Sequence, residues 1–285
     1  MTSEAQLRPL HRSRFSLFRV FAFSILTITA LVTIYPFVWM VLTSLRDARS
    51  VFAGPFFPNP IIFTNYPQAW AQTQFGSHFL NSLIVSAFSL AGILFLSITA
   101  GYGFAKLKFP FKNVIYVLLL STMAMPAASL IIPLFLQVKS ISLLNTLWGL
   151  ILVYIGSMSP FSIFLMRSFF EGVPDELIEA ARMDGSGEWY TLFRVVLPLV
   201  RPGIGTVVIL QFLSIWNEFL YAAVLIQSTD KQTLQPTIYH LAGKYTTNWT
   251  LLAASLTMAI FPIVIVYINM QKQFVAGLTQ GALKW

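Results

Sequence analysis

Long apolar runs dictate most of what this chain can become. Six of them are long enough to cross a bilayer: Arg19 to Leu42, Phe79 to Ala105, Val114 to Gln137, Leu147 to Phe170, Gly203 to Ile226 and Leu251 to Val275. About 20 apolar residues in a helix span the roughly 30 Å of hydrocarbon. Lipid offers no partner to backbone N–H and C=O groups, so a spanning segment must be a helix or part of a closed barrel. A barrel would show short alternating strands. These runs are continuous, and the expectation is an all-α polytopic membrane protein with six transmembrane helices. With 56% of residues hydrophobic and 10% charged, little is left to surface a water-soluble domain.

The positions of Lys and Arg predict orientation, because cytoplasmic loops collect them. Arg8, Arg12, Arg14, Arg19, Lys106, Lys108, Lys112, Arg167, Arg182, Arg194, Arg201, Lys272 and Lys284 would share one side. Arg46, Arg49, Lys139, Lys231 and Lys244 would share the other. Both termini are therefore expected in the cytoplasm. The net charge of +8 is largely this orientation signal, and no nucleic acid is needed to explain it. The basic arm ahead of the first run has the look of a secretory signal, but the run is too long and five more follow, so it reads as a retained helix. The absence of cysteine excludes disulfides and thiolate metal sites, and no metal site is expected.

About 30 residues separate the fourth and fifth runs, long for a connection that only turns round. Pro174 suits a first helical turn, and Asp175 and Glu176 suit the positive end of a helix dipole. Leu177, Ala180, Ala181 and Asp184 fall on one face of that helix. Gly185 reads as a left-handed C-cap, and Ser186 with Glu188 as the start of a second helix that ends before Pro198. Composition alone allows an amphipathic helix at the lipid surface. The spacing of Glu179-Ala180-Ala181-Arg182, Asp184-Gly185, Phe193, Leu197-Pro198 and Pro202 resembles the EAA loop of permease subunits in binding-protein-dependent ABC importers, with Ser186 where Ala is usual. The resemblance implies that Glu179, Ala180, Ala181, Arg182, Asp184, Gly185 and Pro198 form a coupling element. Its alanine face and turn would enter a cleft of an ATPase, with Glu179 or Arg182 at the rim. Neither Gly243-Lys244 nor Gly277 to Lys284 makes a P-loop, so no cofactor is expected on this chain, and ATP and Mg belong to the partner.

Further likeness lies in Tyr35 to Met40 with Thr43 to Arg46, Asn81-Ser82-Leu83, Gly101 to Lys106, Phe109-Pro110, Trp216 to Phe219, and Phe274 to Ala282. It is similar to the maltose-type permeases for oligosaccharides and related carbohydrates. The resemblance implies a type I importer permease fold in a bacterial inner membrane. It also implies a complex with a second homologous permease, two ATPase subunits and an extracytoplasmic sugar-binding protein. On that reading 1–75 is an arm, first helix and outer loop, 76–275 the transmembrane core with its coupling loop at 171–202, and 276–285 a cytoplasmic tail.

Within the fifth run Gln211, Ser214, Glu218 and Tyr221 recur on one helical face, bordered by Asn217. Glu218 is the one acid placed inside a span, where insertion costs about 2.5–3.5 kcal/mol at helix centre. These five residues are expected to line the substrate pathway, or else to bond neighbouring helices. Asn81, Ser82, Ser86 and Ser89 lie close to one face of the second run and are further candidates for sugar contact, or else serve close helix packing. Two outer segments, Val51 to Tyr66 with its three prolines and the polar stretch Gln227 to Asn248, are expected to meet a partner or cap the bundle. A secondary active solute transporter is the competing reading; such proteins use ion-coupling carboxylates or broken helices in paired repeats.

Overall fold

The computed structural model describes residues 17–243 and 247–282; Arg8, Arg12, Arg14, Lys244, Tyr245 and Lys284 lie outside them. Among the described residues all regular structure is helical. The first, second and fourth apolar runs become the single helices α1 (Leu17–Ser44), α3 (Phe75–Lys106) and α6 (Leu147–Glu171), with a short α2 (Asn65–Gln72) before α3. Helix α6 is continuous through Pro160, and α1 through Pro36.

The third run is not one helix. It divides into α4 (Lys112–Ser121), a tight turn at Thr122–Ala124, and α5 (Ala127–Ser140), whose axes differ by 107°. The cause is local: a proline disfavours the α region for the residue before it, and Met125, ahead of Pro126, is extended at φ −79°, ψ 124°. Pro133 lies inside α5 without ending it.

After α6 come α7 (Asp175–Met183) and a helical stretch made of α8 (Glu188–Tyr190), a π-helical turn (Thr191–Val196) and α9 (Leu197–Leu199). The fifth run is also divided: α10 (Arg201–Trp216) stops at Asn217 and α11 (Leu220–Leu225) restarts after Phe219. The chain ends in α12 (Leu234–Leu241), α13 (Trp249–Ala259) and α14 (Phe261–Ala282), the last two together forming the sixth apolar segment.

Helices α3 and α6 form the spine of the bundle. Between lipid-bathed helices no hydrophobic difference drives association, so small residues that permit close van der Waals contact decide which faces meet. Ser82, Ser86, Ser89, Ser97 and Gly101 are all buried along α3. A Cβ on Gly101 would lie 3.0 Å from the Met166 Cβ. The same device joins α10 to α14, where a Cβ on Gly205 would collide with Gln273 and one on Gly277 with Thr206. Trp216 wedges between them and α13, fully buried, its Nε1 donating to the Ala259 carbonyl at 3.0 Å.

The outer segment 227–243 is pinned rather than free. Ser82 Oγ accepts from the Leu234 N–H at 2.8 Å, and Asn81 Nδ2 donates to the carbonyls of Asp230 and Gln232 at 3.0 Å. His78 is buried at the start of α3 with Nδ1 3.0 Å from the Gln232 carbonyl oxygen. The segment before Tyr66 is mostly non-helical, as its prolines require. It is gathered round the buried Arg46, whose Nη2 donates to the Phe56 carbonyl at 2.5 Å.

Candidate functional site

Two regions concentrate unusual chemistry, one outside the spans and one among them. The outer one is the helix–turn–helix of α7 to α9. Asp175 and Glu176 occupy the first turn of α7, and Pro174 sits just ahead of it as the N-cap residue. The helix closes as a Schellman turn, with the Gly185 N–H bonded to the Arg182 carbonyl and the Ser186 N–H to the Ala181 carbonyl, both at 3.0 Å. Gly185 has φ +81° with open space where a Cβ would stand, so its requirement is conformational.

The face expected to dock differs from the one observed. Leu177 and Ala180 are exposed, but Ala181 is buried beside Ile178, so the four residues do not form one free surface. A nine-residue helix buries its most apolar stripe, and Ile178 carries Ala181 inward with it. The bare apolar side chains are instead Met183, 87% exposed, with Trp189, Tyr190 and Phe193; Trp189 and Phe193 stack at 5.9 Å. A hollow of about 550 Å³ opens between the helices, lined by Ala181, Asp184, Gly185, Ser186, Gly187, Tyr190 and Val195. The second helix begins at Glu188, with Gly187 rather than Ser186 as its N-cap, and runs past Pro198 instead of ending before it. The π turn resets the register, so Pro198 falls in the first turn of a new α segment, where its missing N–H costs nothing.

Several charged groups in this region have partners inside the chain. Arg182 meets Glu188 at 2.7 Å, and Tyr102 of α3 donates to the other Glu188 oxygen at 3.0 Å. Lys106 donates to Asp175 and to the Val173 carbonyl, both at 2.6 Å. The hydrogen bond from Lys106, reinforced by its charge, holds the Asp175 carboxyl below its ordinary value. Glu179 stays exposed on the outer face of α7.

The inner region is a cavity of about 1,090 Å³ lined by residues of α4, α5, α6, α10 and α11 and by both helix breaks. Four of the five expected pathway residues line it: Gln211, Ser214, Glu218 and Tyr221. The continuous helical stripe does not exist, because the break at 217–219 puts Gln211 and Ser214 on α10 and Tyr221 on α11. Asn217 lies outside the cavity lining; its Nδ2 donates to the Leu213 carbonyl at 2.9 Å and its Oδ1 is 3.4 Å from Gln235 Nε2.

Glu218 sits in the break and repairs it. Its Oε1 accepts from the Tyr221 N–H at 2.8 Å, and its Oε2 accepts from the Ala222 N–H at 3.1 Å and from the Tyr154 hydroxyl at 2.5 Å. The carboxylate thus satisfies N–H groups that the start of α11 would leave open. Across the cavity the Tyr221 hydroxyl reaches the Ala127 carbonyl at the start of α5, 3.5 Å away. Sequence reasoning missed the wall supplied by Thr122, Met123 and Met125 at the other break. The signal was available in Met125-Pro126.

An all-helical bundle with a large cavity between broken helices and a helix–turn–helix outside the spans is the architecture of a solute-transport subunit. The family model for the binding-protein-dependent transport system inner membrane component matches residues 93–280, and the chain belongs to that family of inner-membrane components. It is 33% identical to the diacetylchitobiose uptake system permease protein NgcG of Streptomyces coelicolor, over 94% of this chain and 89% of that one. It is 31% identical to the arabinooligosaccharides transport system permease protein AraQ of Bacillus subtilis, over 96% and 99%. Its fold matches a chain of a bacterial ABC transporter involved in the import of the acidic polysaccharide alginate, with TM-score 0.80 and 27% identity over 94% of this chain and 100% of that one.

Proposed function

We propose that this chain is one of two homologous permeases in an ATP-driven importer of a carbohydrate of the oligosaccharide class. Both termini and the segment 171–202 face the cytoplasm, where two ATPase subunits carry ATP and Mg. A sugar-binding protein delivers solute at the opposite face. The observation that carries the reading is the outer helix–turn–helix: Asp175, Arg182 and Glu188 are paired within the chain while Met183, Trp189 and Phe193 stand bare. That is the surface of a segment made to be covered by protein. Its polar ties to Tyr102 and Lys106 of α3 give a force applied there a route into the bundle. The carbohydrate class rests on the substrates named for NgcG and AraQ.

Gentle extraction of the tagged chain from its own host, followed by identification of what travels with it, tests the assembly. An ATPase and a second permease should co-purify, and carbohydrates presented with the binding protein should stimulate ATP hydrolysis. One observation favours secondary active transport as a second reading: the two helix breaks at 122–126 and 217–219 are a device such carriers share. Uptake that survives ATP depletion and stops with a proton ionophore would establish that reading instead.

A further inference from the structure

Among the described residues, the lining of the inner cavity includes no Lys, Arg or His, and Glu218 is its one acid. A carboxylate offers about four lone-pair positions; Tyr154, Tyr221 and Ala222 fill three on Glu218. One acceptor position remains. A second acceptor lies on α10: Gln211 is 3% exposed, and its Nε2 reaches the Met158 carbonyl at 3.5 Å while its Oε1 has no partner. A buried amide oxygen without a donor carries a free-energy cost until something brings it an O–H or N–H. Ser157 and Ser214 add hydroxyls to the same wall, and the rest is mostly apolar.

Building on the carbohydrate reading above, we propose that this subunit itself holds one ring of the solute in the cavity, through acceptors at Gln211 and Glu218. The site selects an uncharged, hydroxyl-rich ring and turns away a uronate. Sugar hydroxyls can donate to both acceptors, and ring C–H faces suit the Met and Leu wall. A ligand carboxylate would bring a like charge beside Glu218 with no cation in the wall to offset it. A fold of this kind serves an importer of the acidic glycan alginate, so the discrimination resides in the lining and not in the architecture.

The chain contains no cysteine. Ser214→Cys therefore places a single thiol in the cavity of the full complex, once the partner subunits are made cysteine-free. Its rates of modification by cationic and anionic methanethiosulfonates of matched size are compared with those of a free thiol. The cation should be favoured by about tenfold, the preference should vanish with Glu218→Gln, and it should persist with Glu218→Asp. An uncharged oligosaccharide that stimulates ATP hydrolysis should slow modification, and Gln211→Leu should raise the concentration needed. Equal rates for the two reagents, or a preference unchanged by Glu218→Gln, would overturn the proposal. Should Glu218→Gln prevent assembly, Gln211→Leu decides alone: an unaltered protecting concentration overturns it. Failure of every carbohydrate to stimulate the wild-type complex would count against the carbohydrate reading instead, because the reagent preference is measured without solute.

Discussion

The outer helix–turn–helix and the inner cavity handle polar groups in opposite ways. In the first, Arg182, Glu188, Lys106 and Asp175 are paired within the chain, and large apolar side chains stand exposed beside Glu176, Glu179 and Asp184. In the second, the wall is mostly apolar and a few polar atoms are left with capacity to spare, Gln211 Oε1 above all. A surface covered by a standing protein partner gains from burying Met and aromatic side chains and loses from desolvating unpaired charges. A surface that holds a ligand briefly needs open hydrogen-bonding positions and little else. The difference is the one the proposed roles require, one place to transmit force and another to let solute through.

The strongest way to break this contrast is Glu218→Ala. It strips the acceptor from the Tyr154 hydroxyl and from two N–H groups at the start of α11. The expected cost is on the order of 3 kcal/mol. Thermal unfolding of the purified complex should fall accordingly, with faster amide exchange at Tyr221 and Ala222 and little change in α7. Next is Gly185→Val, which forces a β-branched residue to φ +81° and costs about 1–3 kcal/mol. Here stability of the cavity should hold while coupled transport collapses, in uptake per ATP hydrolysed. Gly187→Ala is its control: the position has φ −72° and open space, so uptake should stay at wild-type level.

Smaller still is Arg182→Ala. The ion pair with Glu188 is half exposed, so its loss costs less than about 1 kcal/mol, but it frees Glu188 from one of its two ties. Amide exchange in α8 should rise while α10 and α11 are unaffected. The weakest is the Lys106–Asp175 link. Because the Asp175 carboxyl is held below its ordinary value of 3.8, the link is complete above that pH and is lost only as pH falls through the lowered value. Asp175→Asn should therefore loosen the start of α7 equally at pH 6 and pH 8, approximating a range far above the titration. A pH-dependent effect between those values would assign the link to another group.

The two regions were unequally legible. The turn at Gly185 could be read because it depends on neighbours in sequence: a nine-residue helix, a residue able to adopt positive φ, and acids at the helix start. Which face of α7 stays bare could not, since Ala181 turns inward only because the π turn of the next helix lies beneath it. The bundle itself followed from six apolar lengths. Its two broken spans did not, although Pro126 carried a local signal for one. The other, at Asn217 to Phe219, contains no proline or glycine; it exists because Glu218, Tyr154 and the N–H groups of α11 satisfy one another across helices. Four cavity-lining residues were found by polarity at membrane depth, which survives a wrong helix geometry. Asn217 was included by adjacency alone, and the break turns it away from the cavity.

The central claim is that α7 to α9 form the surface through which a separate ATPase drives this permease. Met183 is the most exposed apolar residue there, at 87%. With no native cysteine in the chain, Met183→Cys gives one defined thiol for cross-linking in intact membranes. The account predicts a single cross-linked product with the ATPase subunit, and transport arrested once it forms. Cross-linking to lipid-soluble probes alone, with uptake undisturbed, would contradict it.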